Sequence, residues 1–130
     1  MTLDAADSVE ILQLVTRADV CATARDAEAY VALFTEDAVM DGAMGDAHGR
    51  AAIGETVARV WAREPPGTLH LTLNAAIDAS GSEPSVDSVM LMVASGATPA
   101  IVGSAKVRQI VVRTSEGWRI SRRTIATESG

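Results

Sequence analysis

The sequence predicts an α+β fold, with three helices in the first half of the chain and a mostly antiparallel sheet built largely from the second half. This fold class is predicted from a change in the spacing of apolar residues. Apolar residues recur at helical spacing up to about residue 65, and from residue 68 onward they alternate with a period of two. The chain has 130 residues, of which 48% are hydrophobic and 22% charged. This length and composition suit one compact domain with a substantial core.

Three segments of the first half have helical spacing. Residues 4–23 place apolar side chains on one side, together with Asp19, which occupies a position where a core residue is expected. A second helix is predicted from Asp26, its N-cap candidate, to about residue 34. A third covers residues 50–63 and ends before Pro65-Pro66-Gly67, a sequence that cannot continue a helix.

Strands account for most of the remaining chain. A short strand is predicted at residues 38–41, followed by a glycine-rich loop at 42–49. Four longer strands follow at residues 68–78, 86–94, 100–114 and 118–127. Several of these strands are apolar on both faces. The helices can cover one face of the sheet, and we expect a second subunit to cover the other, giving a homodimer or higher oligomer.

Charge and residue counts exclude several classes of function. The net charge of -6 disfavours nucleic-acid binding. One cysteine, Cys21, cannot form an internal disulfide, and two histidines without metal-binding spacing predict no metal site. No apolar run approaches the ~20 residues of a membrane helix, and the N-terminus lacks a secretory signal. We therefore expect a cytoplasmic protein that needs no membrane and no cofactor.

Five segments, spread over nearly the whole chain, carry a resemblance to a known family. They are ILQLVTRAD, ARDAEAYVALFTEDAVMD, HGRAAIGE, TLHLTLN and RTSEGWRISRR. Their order resembles the nuclear transport factor 2-like superfamily and, within it, the SnoaL-like branch. The resemblance implies a single domain over residues 1–130, with a cone-shaped, strongly bent sheet and helices that enclose an apolar pocket. The superfamily includes ketosteroid isomerases, scytalone dehydratase, polyketide cyclases and non-catalytic binding domains, so the fold alone does not give the function.

Two residues are candidates for moving a proton. His70 matches the histidine that the dehydratase-like members carry at the start of their first long strand, and an imidazole is a suitable base near neutral pH. Asp19 lies on the helix that lines the pocket in this family, where burial would make it a better base or a partner for His70. The alternatives are structural: His70 paired with a buried carboxylate, or Asp19 paired with an arginine.

Three further residues are candidates for binding a ligand. Asn74 shares the more polar face of strand 68–78 with His70. Asp41 lies at or next to the position where the isomerases carry their proton-shuttling aspartate, although an aspartate before a glycine loop is also ordinary turn chemistry. Tyr30 is the only tyrosine, and Ala18 stands where the isomerases carry an oxyanion-binding tyrosine.

Two basic residues complete the candidate ligand-binding set. Arg122 alternates with Trp118 and Ile120, which predicts an inward side chain unless a bulge puts Arg123 there instead. Lys106 is the only lysine, and it binds an anion if its strand face lines the pocket. If the opposite face lines the pocket, Lys106 lies at the rim or at a subunit interface.

Two functions are compatible with these residues. The first is a cofactor-free lyase, isomerase or cyclase that binds a small apolar molecule with a carbonyl or hydroxyl group and moves a proton with His70 and Asp19. The second is a non-catalytic ligand-binding or dimerisation domain, which the missing first-helix tyrosine favours. In the first case, we expect Asp19 and His70 to face one enclosed cavity, within hydrogen-bond reach or one water apart.

Overall fold

A computed structural model describes residues 2–42 and 45–127, and in these residues the chain forms three helices and six strands. The helices are α1 (Ala5–Ala24), α2 (Ala27–Val31) and α3 (Arg50–Ala62). The strands are β1 (Phe34–Gly42), β2 (Gly45–His48), β3 (Leu69–Asp78), β4 (Ser85–Ala94), β5 (Ala100–Thr114) and β6 (Gly117–Thr127).

All six strands belong to one mixed sheet with the order β2-β1-β6-β5-β4-β3. Neighbouring strands are antiparallel except β1 and β6, which run parallel and are separated in the chain by one helix and four strands. The strands β3 to β6 form the antiparallel meander that the sequence predicts. The predicted α+β class is therefore confirmed.

The segment after α2 differs from the prediction. Strand β1 begins at Phe34, and α2 ends at Val31 instead of continuing to residue 34. The backbone N–H of Ile120 on β6 donates to Leu33 O at 2.9 Å, so this segment is drawn into the sheet. The predicted loop 42–49 also contains a strand, β2, which folds back on β1. Residues 43 and 44 of that loop lie outside the described residues.

Helix α1 begins and ends with well-defined caps. Asp4 accepts a hydrogen bond from the backbone of Asp7, whose carboxylate accepts one from the backbone of Asp4, which is a capping box. The helix ends at Arg25, which has a left-handed backbone with φ of 59°. Its buried face is apolar except for Asp19. The expected inward position of Asp19 is therefore observed.

The N-terminal end of α1 is fixed to the hairpin between β5 and β6 through Trp118. The indole Nε1–H of Trp118 donates to Asp7 at 3.2 Å, and its backbone N–H donates to Glu10 Oε2 at 2.6 Å. The guanidinium of Arg113 lies 4.7 Å from the centre of the indole ring and also pairs with Asp7. These contacts set where α1 crosses the sheet.

A bulge in β6 decides which arginine faces inward. Consecutive residues of β5 pair with Ile120 and Arg122, so Ser121 is an extra residue without a partner of its own. Ile120 is buried before the bulge, and Arg123 is buried after it. The prediction of an inward Arg122 is wrong, and the alternative that the sequence allowed, Arg123, is observed.

A second bulge, in β3, moves Asn74 away from the inner face. The register between β3 and β4 shifts between Leu73 and Ala76, and Asn74 has a positive φ of 55°. Asparagine tolerates this left-handed conformation better than most residues. The alternation of side chains reverses at the bulge, so His70 is buried whereas Asn74 is exposed. The expectation that the two share one face is wrong.

The face of the sheet opposite the helices exposes large apolar side chains. They come from β3 and from the start of β5, and they are Leu69, Leu71, Leu73 and Ile101. Lys106 also lies on this outer face, because Ala105, Val107 and Gln109 take the inner one. Among the helices within residues 2–42 and 45–127, none is long and apolar enough to cross a membrane.

We expect the protein to form a homodimer or a higher oligomer that buries this outer face. Light scattering at micromolar concentration tests it, and Leu71→Lys should shift the mass towards the monomer because a lysine is costly inside an interface. Leu12→Lys on the surface of α1 is the control, since Leu12 and Leu71 are similarly exposed, at 36% and 39%. A monomeric native protein contradicts the prediction.

Candidate functional site

A cavity of about 160 Å³ lies between the inner face of the sheet and the helices. Most of its wall is apolar, with side chains that include Met40, Val57, Val60, Trp61, Met90, Met92 and Ile125. The polar side chains on the wall include Asp19, Tyr30, Asp41, Glu64, His70 and Arg123. An apolar cavity of ~150 Å³ binds benzene, so this volume suits a molecule built on one ring.

His70 is held at the start of β3 by α1 and by the residues that follow α3. Strand β3 is an edge strand, and its backbone groups at His70 bond to a helix side chain instead of another strand. The His70 N–H donates to Thr23 Oγ1 at 2.8 Å, and the same hydroxyl donates to His70 O at 3.4 Å. The His70 side chain is 5% exposed, and its Nε2 lies 2.9 Å from the carboxylate of Glu64.

Glu64 is a site residue that the sequence analysis did not identify. It follows α3, and it continues the buried stripe of Val57 and Trp61 at helical spacing. That spacing was the available signal, but the following prolines suggested only the end of a helix. Arg25 Nη1 lies 3.1 Å from Glu64 Oε1, so arginine, carboxylate and imidazole form a connected row.

Asp19 is paired with arginine, the alternative that the sequence left open. Arg123 Nη2 lies 3.1 Å from Asp19 Oδ1, and the hydroxyl of Thr72 donates to Asp19 Oδ2. Arg123 Nη1 also donates to Gln109 Oε1 at 3.1 Å. Burial acts to lower the pKa of Arg123, but its pKa is raised overall, with the negative charge of Asp19 among the causes, so the guanidinium stays charged.

His70 and Asp19 therefore face one cavity without forming a pair. No hydrogen bond joins them within the described residues, because the oxygens of Asp19 bond to Arg123 and Thr72 while the imidazole bonds to Glu64. The carboxylate that contacts His70 comes from the end of α3 and not from α1. We take the His70–Glu64 contact as the candidate acid–base pair.

Tyr30 lies in the cavity wall, as a ligand-binding residue requires. It comes from α2, and its ring meets Trp61 edge to face with centroids 5.2 Å apart. The phenol oxygen is 3.8 Å from Met40 Sδ, a weak acceptor. Burial raises the pKa of Tyr30, so its hydroxyl stays protonated and can donate a hydrogen bond.

The other sequence candidates lie at the rim or outside. Asp41 lines the cavity and pairs with Arg122 Nη2 at 2.8 Å, while the hydroxyl of Thr124 donates to it at 3.3 Å. The Arg122 side chain is about half exposed. Asn74 and Lys106 do not line the cavity, because the β3 bulge exposes the first and the register of β5 places the second on the outer face.

Neither a metal centre nor an activated thiol is found in the described part of the chain. No group of three or more His, Cys, Asp or Glu side chains there could hold a metal ion. Burial raises the pKa of the Cys21 thiol, which disfavours the nucleophilic thiolate. The chemistry available to the cavity is that of its imidazole, carboxylates, phenol and guanidinium.

A family model described as a SnoaL-like domain matches residues 4–124. The chain belongs to the SnoaL-like family. The resemblance stated from the sequence is thereby confirmed, and a search of the curated proteins gives no match. Isomerases, dehydratases and cyclases all occur in the SnoaL-like fold family.

Solved structures share the fold of this SnoaL-like chain along almost its whole length. A protein of unknown function with a cystatin-like fold from Nostoc punctiforme is 26% identical, with a TM-score of 0.90 over 100% of this chain and 97% of that one. ActVI-ORFA from Streptomyces coelicolor is 22% identical, with a TM-score of 0.83 over 95% and 98%. A scytalone dehydratase-like protein from Novosphingobium aromaticivorans is 23% identical, with a TM-score of 0.78 over 95% and 85%. The last two show the fold alone.

Loss of the Asp19 charge should destabilise this SnoaL-like fold. We expect Asp19→Asn to lower the free energy of unfolding by about 3 kcal/mol, because Arg123 then keeps a buried charge without its partner. Urea unfolding followed by tryptophan fluorescence measures it. Asp87→Asn, which breaks an exposed pair with Arg108 of 3.9 Å, is the control and should cost no more than about 1 kcal/mol. Equal losses in the two variants contradict the assigned role of Asp19.

Burial of Tyr30 predicts a loss of stability at high pH. Its pKa is raised in the folded state, so its contribution is fully present below the ordinary tyrosine pKa of about 10 and is lost as the pH rises above it. The chain has one tyrosine, so tyrosinate absorbance reports this group alone. We expect that absorbance to appear together with unfolding, and Tyr30→Phe to flatten the alkaline fall in stability. Tyrosinate formation in the folded protein near pH 10 is the contrary result.

Proposed function

We propose that the cavity binds a small, mostly apolar molecule with a carbonyl or hydroxyl group and that His70 moves a proton on it without a cofactor. The reaction type is that of a lyase, an isomerase or a cyclase. The observation that carries the proposal is the 2.9 Å contact between His70 Nε2 and Glu64 inside an apolar cavity. A cytoplasmic location and self-association through the outer sheet face belong to the same proposal.

The contact with Glu64 suits a general base. A carboxylate that accepts the Nε2–H of a neutral imidazole leaves the lone pair on Nδ1 free to take a proton. When the ring gains that proton, the negative charge of Glu64 stabilises the imidazolium. Thr23 fixes the backbone of His70, and Arg25 fixes Glu64, so the pair is held before a ligand arrives.

Tyr30 supports the second half of a proton transfer. Removing a proton next to a carbonyl puts negative charge on the oxygen, and a protonated phenol in an apolar cavity can stabilise it. Its only hydrogen bond among the described residues is to a methionine sulfur, so a ligand oxygen is a better acceptor. Tyr30 would thus replace the first-helix tyrosine of the isomerases, where this chain has Ala18.

A non-catalytic ligand-binding domain is the second candidate function. The observation in its favour is that the three carboxylates of the cavity wall, on Asp19, Asp41 and Glu64, are each paired with an arginine. Such pairs are also what a binding cavity needs to hold its shape. The two candidates differ in whether His70 accelerates a proton transfer.

A nitrobenzisoxazole tests the catalytic proposal without knowledge of the natural substrate. A base removes the proton on its ring carbon, the N–O bond breaks, and a coloured cyanophenolate forms. We expect saturable turnover by the native protein and a fall of about 10²–10⁴-fold in His70→Gln. Glu64→Gln should lose less, because an amide oxygen can still accept the Nε2–H.

His48→Gln is the matched control, since His48 is the other histidine of the chain and is exposed on β2. It should turn over the probe at the native rate. Saturable binding with the same slow conversion by native protein and His70→Gln would favour the binding domain. Mass spectrometry of small molecules that co-purify with the native protein then identifies the ligand in either case.

A further inference from the structure

We propose that this cavity selects an uncharged ligand with one hydrogen-bond acceptor. The inference rests on the proposed function only in that it concerns the same cavity, and it names the class of ligand: a neutral, one-ring molecule with a hydrogen-bond acceptor. The juxtaposition that carries it is a set of ion pairs in which every carboxylate of the cavity wall has an arginine partner.

The charges of the cavity wall cancel. Within the described residues, the charged side chains that line it are Asp19, Asp41, Glu64 and Arg123. Each carboxylate has one arginine partner: Asp19 pairs with Arg123 at 3.1 Å, Glu64 with Arg25 at 3.1 Å and Asp41 with Arg122 at 2.8 Å. His70 and Tyr30 add no charge when the imidazole is neutral. The cavity and its immediate partners therefore carry no net charge.

A balanced cavity discriminates against ions. A ligand carboxylate or ammonium would leave water and find every opposite charge already paired, so it would be buried without compensation. A carbonyl, ether or hydroxyl loses far less on leaving water and needs only a hydrogen bond. The pairing of the arginines thus decides the charge of the ligand, even though three carboxylates face the cavity.

One donor in the wall can serve the ligand. Tyr30 lines the cavity, and the only hydrogen bond of its hydroxyl within the described residues is to Met40 Sδ at 3.8 Å. A thioether sulfur is a weak acceptor, so an oxygen of the ligand is the better partner for this hydroxyl. Arg123 does not compete for that oxygen, because its Nη1 and Nη2 bond to Gln109 and Asp19 and its Nε is buried away from the cavity.

The size of the cavity completes the description of the ligand. A volume of about 160 Å³ with mostly apolar walls suits one ring and a short substituent. The polar groups suit one acceptor oxygen on that substituent. An aryl ketone or a small lactone has these properties, and a benzoate of nearly the same shape does not.

Binding of three matched probes tests the inference at pH 8. They are acetophenone (neutral, with an acceptor), ethylbenzene (neutral, without one) and benzoate (anionic), followed by calorimetry or by the fluorescence of Trp61 in the cavity wall. We expect acetophenone to bind about tenfold more tightly than ethylbenzene and roughly 100-fold more tightly than benzoate. Equal binding of acetophenone and ethylbenzene, binding of benzoate as tight as that of acetophenone, or no binding of acetophenone overturns it.

Two variants should change the preference in opposite directions. Asp19→Asn leaves Arg123 uncompensated, so benzoate should gain at least about tenfold relative to acetophenone. Arg25→Gln leaves Glu64 uncompensated, so benzylammonium should gain instead. Arg25 is 30% exposed, so this variant should fold even if Asp19→Asn does not. Asp87→Asn removes an equal charge from an exposed pair on the sheet and should leave the order of the probes unchanged.

The result is separable from the proton-transfer proposal. His70→Gln should keep the native order of the three probes, because selection by charge does not need the imidazole. The gain of benzoate in Asp19→Asn and the gain of benzylammonium in Arg25→Gln support the inference whether His70-dependent turnover is present or absent. Unchanged relative affinities of the charged and neutral probes in both charge variants overturn it and leave the role of His70 untouched.

Discussion

The ion pair between Asp19 and Arg123 is the contact on which the rest of the site depends. It joins the C-terminal part of α1 to β6 across the interior, and both side chains are almost fully buried. Neither charge is tolerable there alone, so the two elements are held at the distance that the pair allows. Thr72 and Gln109 bond to the same pair and extend it to β3 and β5. One charge pair therefore fixes a helix and three strands around the cavity.

The C-terminal part of α1 supplies most of the supports of the site. Asp19 bonds to Arg123, Thr23 bonds to the backbone of His70, and Arg25 bonds to Glu64. These residues lie within two helical turns of one another, and they contact β6, the edge strand β3 and the segment that follows α3. A rigid helix is a good base for a site, because its side chains keep their spacing when the neighbouring segments move.

Much of the fold could be predicted from the sequence, but the partners in the site could not. The spacing of apolar residues gave the helices and the meander, and the inward positions of Asp19 and His70 followed from the same patterns. Alternation fails where a strand carries an extra residue, which is why Asn74 and Arg122 were misplaced. The contact between His70 and Glu64 depends on how two elements pack, and no local pattern encodes that distance.

The bulge at Ser121 has a consequence for how this chain can vary. Because side chains alternate along a strand, Arg122 would face the cavity if Ser121 paired with β5 as a regular residue, and the bulge is what turns Arg123 inward instead. The cation of the cavity is therefore determined by the pairing of β6 as much as by the identity of its residues. A change that flattens the bulge, which leaves every functional side chain present, would remodel the interior more than many substitutions. Relatives with the same residues but a regular β6 are thus expected to differ in what they bind.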